Sequence, residues 1–265
     1  MLRPLRVFIL KFLGALVFYT QIPLPHSLPL DFEGIARFAP LVGLGIGSLL
    51  TGVAILLMHL TAITPLLLAT IVTALWVWMT GALHLDGAMD TADGLACMDR
   101  DRRLNVMRDP HSGAFGVLTA IVILLLKTAA LTSDAPIWSL GETVPLPLLA
   151  LPLICGWARW GQLIAIIRFP YLRPEGKGKL HKMALRGFPD ALPSLLILLG
   201  CQGMAANLGW FSWEQSLSLP IAALFFSWGF ATWIDSKLDG HTGDTYGAIV
   251  EWTETFLLCL LVCMA

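Results

Sequence analysis

The sequence predicts an all-α polytopic membrane helix bundle, organised as one integral-membrane domain over residues 1–265. Three observations predict it. Hydrophobic residues make up 57% of the chain and charged residues 13%, against about 25% charged in an ordinary soluble domain. Apolar runs recur near the ~20 residues that a bilayer core requires. The short alternating segments of a membrane β-barrel are absent from the sequence. A net charge of −1 supplies no overall attraction to nucleic acid.

The expected spans are about seven: 39–60, 62–85, 113–133, 146–168, 189–208, 215–234 and 245–264. Their connections sort by charge. Arg37 precedes the first span, and residues 86–112 carry Arg100, Arg102, Arg103 and Arg108. Residues 169–188 carry Arg173, Lys177, Lys179, Lys182 and Arg186, and residues 235–244 carry Lys237. The alternate connections, near Thr61, 134–145 and 209–214, have no Lys or Arg. Positive-inside logic puts every basic loop in the cytoplasm.

Residues 5–22 stand apart, because crossing the bilayer would strand Arg3 and Arg6 outside and bury Lys11. They are expected to form an N-terminal interfacial or re-entrant helix, with a true eighth span as the alternative. QIPLP then forces a turn, since its prolines lack donors and disfavour helix. No small-x-small site precedes QIPLPH, so a cleaved signal is not expected. The five cysteines, Cys97, Cys155, Cys201, Cys259 and Cys263, show no CxxC spacing and read as packing residues. No internal repeat stands out.

The chemistry concentrates at helix ends. HLDGAMDTADG places Asp86, Asp90 and Asp93 four and three residues apart, on one face of a helix. Stacked carboxylates beside a span repel one another and call for a hard oxygen-loving cation. Mg²⁺ completes its shell with water and substrate phosphates, so the stripe suggests phosphate chemistry. Gly87 and Gly94 would let a bulky ligand approach the backbone. A proton or cation relay is the non-metal alternative. His84 reads as a hydrogen-bonded neighbour of these carboxylates.

A basic arm follows. Arg100, Arg102 and Arg103 alternate with Asp99 and Asp101, which suits either phosphate recognition or a self-paired solvated helix. In RDPHSGAFG, Ser112 is placed to cap the next helix, whose free N–H groups favour an anion, with Arg108 and His111 beside it. FPYLRPEGKGKLHKMALRG, with Lys177 and Lys179, suits a polyanionic substrate or an anionic leaflet. Arg159 lies deep in its span and is expected to face a polar cavity or an acidic partner. Asp235, Asp239 and Asp244 precede the last span, which carries Glu251 and Glu254 inside apolar sequence. They form a second acidic wall that needs Arg159, a cation or protonation.

GALHLDGAMDTADGL, MRDPHSGAFGVL and GHTGDTYGAIVEWTE, with FYTQIPLP and YLRPEGKGK, resemble the cobalamin synthase family, or adenosylcobinamide-GDP ribazoletransferases, over nearly the whole chain. The resemblance implies a Mg²⁺-dependent enzyme of the bacterial inner membrane. It would join adenosylcobinamide-GDP to α-ribazole or its 5′-phosphate and release GMP. It maps the family's acidic motif onto Asp86, Asp90 and Asp93, its arginine motif onto Arg108 and its late Gly-Asp-Thr onto Asp244. On this reading Asp86, Asp90 and Asp93 hold the metal, Asp93 or Asp244 orients or deprotonates the attacking hydroxyl, and Arg108 is catalytic with them. Arg102, Arg103, His111, Ser112, Arg159, Lys177 and Lys179 meet substrate. ACMDRDRR departs from the glycine-richer stretch expected there. A homo-oligomer is compatible with such a bundle.

Two rivals remain at this stage. A CDP-alcohol phosphotransferase would carry Asp-Gly-x2-Ala-Arg, but Asp90-Thr91 stands where Ala-Arg belongs. An ion-coupled transporter could use Asp86, Glu251 and Glu254, yet would not need so many basic residues beside the acids.

Overall fold

Each expected span is helical at its centre, and several helices begin at a proline or a capping side chain. The computed structural model describes residues 2–25, 27–133, 136–139, 142–173, 175 and 177–264, without the side chains of 2–4, 136–139, 142, 143, 177, 180 and 181. The order is α1 (Leu2–Tyr19), α2 (Ala39–Leu60), α3 (Pro65–Met79), α4 (Leu83–Ala96), α5 (Arg103–Val106), α6 (Ala114–Leu131), the hairpin β1 (Pro136–Ser139) and β2 (Glu142–Pro145), then α7 (Leu146–Arg168), α8 (Lys177–Met183), α9 (Leu192–Asn207), α10 (Trp213–Leu238) and α11 (Gly243–Cys263). Thr64 caps α3 ahead of Pro65, and Ser212–Gln215 and Thr242–Thr245 form capping boxes on α10 and α11.

Among the described residues, five helices are long and apolar enough to cross a membrane: α2 with its leading 3₁₀ turn, α6, α7, α10 and α11. α9 is shorter, and α3 with α4 forms a pair bent by 86°. The helix expected over 62–85 therefore breaks after Met79. Gly81 (φ +59°) and Ala82 (φ +56°) take left-handed backbone there, which costs an alanine about 1–2 kcal/mol. The QIPLP turn is docked on the bend. Gln21 N–H donates to the Met79 carbonyl at 2.7 Å, and a side chain at Gly81 would collide with the Gln21 amide. α4 is thereby turned off the axis of α3, and it carries all three aspartates of the stripe.

α7 is the central helix, with Leu148, Leu151, Ile154, Trp157 and Leu163 sealed from solvent. α2 lies closest to it because Gly43 and Gly47, one turn apart, leave no room for side chains against the Cys155 and Leu151 carbonyls. By contrast α6 exposes Leu118, Ile121 and Leu125, and α10 exposes Leu217, Ile221 and Phe225. Such faces suit lipid. α1 is not among the membrane-length helices. Its Lys11 is answered by Asp31 at 3.5 Å and Glu33 at 3.3 Å, and Phe8 and Phe12 meet Phe38 edge-on. All five cysteines are free.

One further tie positions the site. His241 N–H donates to the Pro170 carbonyl and Leu172 N–H to the His241 carbonyl, each at 2.8 Å. The segment after α7 is thus laid alongside the turn before α11. Lys182 closes the end of α7 by donating to the carbonyls of Ile166, Ile167 and Phe169 at 2.7–2.8 Å.

Candidate active site

A cavity of about 270 Å³ opens where α1, α4, α7, the 169–173 segment and α11 meet, with His84, Asp86, Gln162, Arg173, Asp244 and Tyr246 in its lining. α4 and α11 approach closely enough to put two carboxylates on it because of glycine. A Cβ on Gly87 would stand 2.6 Å from the Asp244 carbonyl oxygen, and one on Gly247 would stand 3.0 Å from that of His84. Gly94 likewise admits Met107. These glycines serve contacts within the chain, which corrects the expectation that Gly87 and Gly94 make room for a ligand.

Arg173 Nη2 reaches Asp244 Oδ2 at 2.7 Å and also donates to the Met107 carbonyl at 3.1 Å. Sequence reasoning named Arg173 only as one of many loop cations. The signal that it is special lies in the pairing of 169–173 with the turn before α11, which no local pattern reveals. Asp90 is half-buried beside this pair. Burial, then the charges of Asp86 and Asp244, push its carboxyl up to about 7, with Arg173 opposing.

Asp93 has another partner. Its Oδ2 accepts from Gly113 N–H and its Oδ1 from Gly116 N–H, each at 2.8 Å. Gly113 is the N-cap of α6 and has no side-chain cap of its own. The anion expected at this helix N-terminus is therefore the chain's own carboxylate. Two expectations are corrected. Ser112 does not cap α6, and Asp93 is turned toward α6 instead of completing a three-carboxylate metal cage. Among the described residues no group of three His, Cys, Asp or Glu side chains is gathered to hold a metal ion. The carboxylates left on or beside the cavity are Asp86, Asp90 and Asp244.

The basic arm is largely self-occupied. Arg100 pairs with Asp239 at 2.7 Å. Arg103 donates to the Cys97 carbonyl at 3.0 Å and to the Lys237 carbonyl at 2.9 Å, fastening the arm to the end of α10. Arg103 is thus a strut between the arm and α10. His111 pairs with Asp109 at 2.7 Å, and the His111 backbone N–H, then its ring, hold the Asp109 carboxyl below its ordinary value. Arg102, Arg108, Ser112 and Lys179 face solvent outside the cavity. The Lys177 side chain lies outside the described residues.

Behind the cavity, α6, α7 and α11 share a buried ionic network. Lys127 Nζ stands 2.7 Å from both Glu251 Oε2 and Glu254 Oε2, and Arg159 Nη1 stands 2.7 Å from Glu254 Oε1. Lys127 also sits 4.0 Å above the Trp76 ring. The acidic partner expected for Arg159 is Glu254. Fully buried and so engaged, Arg159 lies behind the cavity wall, which corrects its assignment to substrate. Lys127 went unnoticed in the sequence. A lone lysine inside ILLLKTAAL was itself the signal.

A family model described as cobalamin-5-phosphate synthase matches residues 11–262. An adenosylcobinamide-GDP ribazoletransferase of Trichormus variabilis is 46% identical over 260 residues, 97% of this chain and 98% of the relative. Enzymes of the same name from Synechococcus elongatus and a Synechocystis species are 45% and 42% identical. The first match covers 92% of both chains, the second 92% of this chain and 91% of the relative. No solved structure matches the chain. The chain belongs to the cobalamin-5-phosphate synthase family.

Proposed function

We propose that this membrane protein is an adenosylcobinamide-GDP ribazoletransferase that joins adenosylcobinamide-GDP to α-ribazole, or its 5′-phosphate, and releases GMP. One observation carries the reading beyond family membership: the cavity gathers carboxylates from α4 and α11 against Arg173. A phosphoanhydride transfer needs charge neutralisation and a placed hydroxyl, which this donor set suits.

In the reaction the acceptor oxygen bonds to the phosphorus on the cobinamide side. The bond from that phosphorus to the bridging oxygen breaks, and GMP leaves with the bridging oxygen. Arg173 would bind phosphoryl oxygens in place of Asp244. Asp244, so released, would take the hydroxyl proton. The solvent-facing Arg102, Arg108 and Lys179 would meet the guanylyl portion as it departs.

Mg²⁺ fits this donor set. Asp86 and Asp244 raise the proton affinity of Asp90, a repulsion that a cation would relieve. Mg²⁺ commonly uses one or two carboxylates plus water and phosphates, so a three-carboxylate cage is not required. Asp86 and Asp90 would hold it, and when bound it neutralises diphosphate charge. The cavity would face the cytoplasm across the bacterial inner membrane, as the basic loops favour.

The test is GMP release by purified protein in detergent, given adenosylcobinamide-GDP, α-ribazole and Mg²⁺. No release above blank, with any of several divalent metals, refutes the reading.

A further inference from the structure

The cavity, about 270 Å³, has room for a nucleoside and far too little for a corrin ring. Its charged and neutral groups are sorted by depth. Asp86, Asp244 and Arg173 keep solvent contact, whereas His84, Gln162 and Tyr246 are 2%, 4% and 3% exposed. Each of these three carries a buried polar atom with no hydrogen-bond partner: His84 Nε2, Gln162 Oε1 and Tyr246 Oη. Native folds rarely leave such atoms unanswered, and these three, with Arg173 Nε in the same lining, point to a ligand.

The hydrogen on His84 is placed from behind. Arg159 Nη2 lies 3.4 Å from His84 Nδ1, and a guanidinium can only donate. Nδ1 therefore accepts, and Nε2 carries the hydrogen. The Arg159–Glu254–Lys127–Glu251 network holds that guanidinium in place. Tyr19 stacks on His84 at 6.1 Å, and Tyr246 stacks on both Tyr171 at 6.2 Å and His241 at 5.5 Å.

We propose that His84, Gln162 and Tyr246 form the subsite that recognises the ribose hydroxyls of the nucleoside acceptor. The inference rests on the ribazoletransferase reading above. This lining offers an N–H donor, a carbonyl acceptor and a phenol that does both. A hydroxyl answers all three. An ionised phosphate, which only accepts, would meet the lone pairs of Gln162 Oε1 and belongs at the Arg173 end. The cavity's size fits a nucleoside and leaves out the corrinoid.

Steady-state GMP release tests it, with each substrate varied separately. Tyr246→Phe and Gln162→Met should each raise KM for α-ribazole by about tenfold, leaving KM for adenosylcobinamide-GDP within about twofold. His84→Gln, which keeps an N–H where Nε2 stood, should stay within about tenfold of wild type, while His84→Phe should lose about a hundredfold in kcat/KM. The difference between ¹⁵N-histidine spectra of wild type and His84→Gln should show the Nε2–H tautomer. Unchanged KM for α-ribazole, a rise confined to adenosylcobinamide-GDP, or an Nδ1–H tautomer overturns the inference. Absence of GMP release from wild type overturns the enzyme reading instead, and the spectrum still judges His84.

Discussion

Arg173 Nη2 lies 2.7 Å from Asp244 Oδ2, joining the segment after α7 to the first turn of α11. The two side chains are 18% and 20% exposed, so an incoming anion can compete for the guanidinium. Arg173→Ala should lower kcat/KM for GMP release by about 100-fold, and Arg173→Lys should recover part of it, because lysine keeps the charge without the fork. Wild-type turnover in the alanine variant would remove this residue from the mechanism.

Neighbouring aspartates should behave oppositely. Asp93→Ala removes the carboxylate that caps α6 and should cost about 1–3 kcal/mol, read as a lower Tm in detergent. Asp90→Asn relieves repulsion, so it should abolish turnover without lowering Tm. A melt in which Asp90→Asn is the less stable of the two would contradict this division.

Asp90 also sets a pH dependence. With its carboxyl raised to about 7, it is mostly protonated at pH 6 and mostly ionised at pH 8. A cation must displace that proton, so apparent Mg²⁺ affinity should strengthen from pH 6 to pH 8. Metal titrations of GMP release at several pH values read this directly. An affinity flat across that range argues against Asp90 as a ligand.

Lys127 is the sole cation shown pairing with Glu251 among the described residues. Lys127→Ala leaves buried carboxylate charge uncompensated and should cost about 3–5 kcal/mol. Pairing Lys127→Met with Glu251→Gln should restore much of the lost Tm, since charge leaves in balance. If the double variant melts no higher than Lys127→Ala, charge balance is not what the network supplies.

His241 should make the site acid-sensitive. Burial, with Lys182 adding to it, lowers its pKa from 6.5 to about 4. Below pH 6.5 the unfolded chain takes a proton that the folded chain refuses until pH 4. The stabilisation, about 3 kcal/mol, is therefore complete above pH 6.5 and lost as pH falls toward 4. Tm should drop between pH 7 and pH 5, and drop less in His241→Asn. Equal drops in both proteins would exclude His241 as the cause.

Hydropathy and charge sorting located the helices because both are local: a bilayer core demands about 20 apolar residues wherever they occur. The same locality misled at residues 62–85. Composition continues through Gly81 and Ala82, but the backbone turns there because the QIPLP segment, some 60 residues earlier, packs on the bend. The 4-and-3 spacing of Asp86, Asp90 and Asp93 correctly put them on one helix. It did not reveal which would remain open.

That choice belongs to the tertiary structure. Asp93 is taken by N–H groups 20 and 23 residues away. Asp244 meets Arg173 only because the 169–173 segment pairs with His241. Arg159 and Lys127 meet Glu254 from separate helices. Sequence alone determined the membrane bundle, the acidic stripe and the family resemblance, since composition, periodicity and motif are written in neighbouring residues. Tertiary packing decided which charges neutralise one another and which are left for a ligand, because a charge's partner is set by distance in space, and these partners are far apart along the chain.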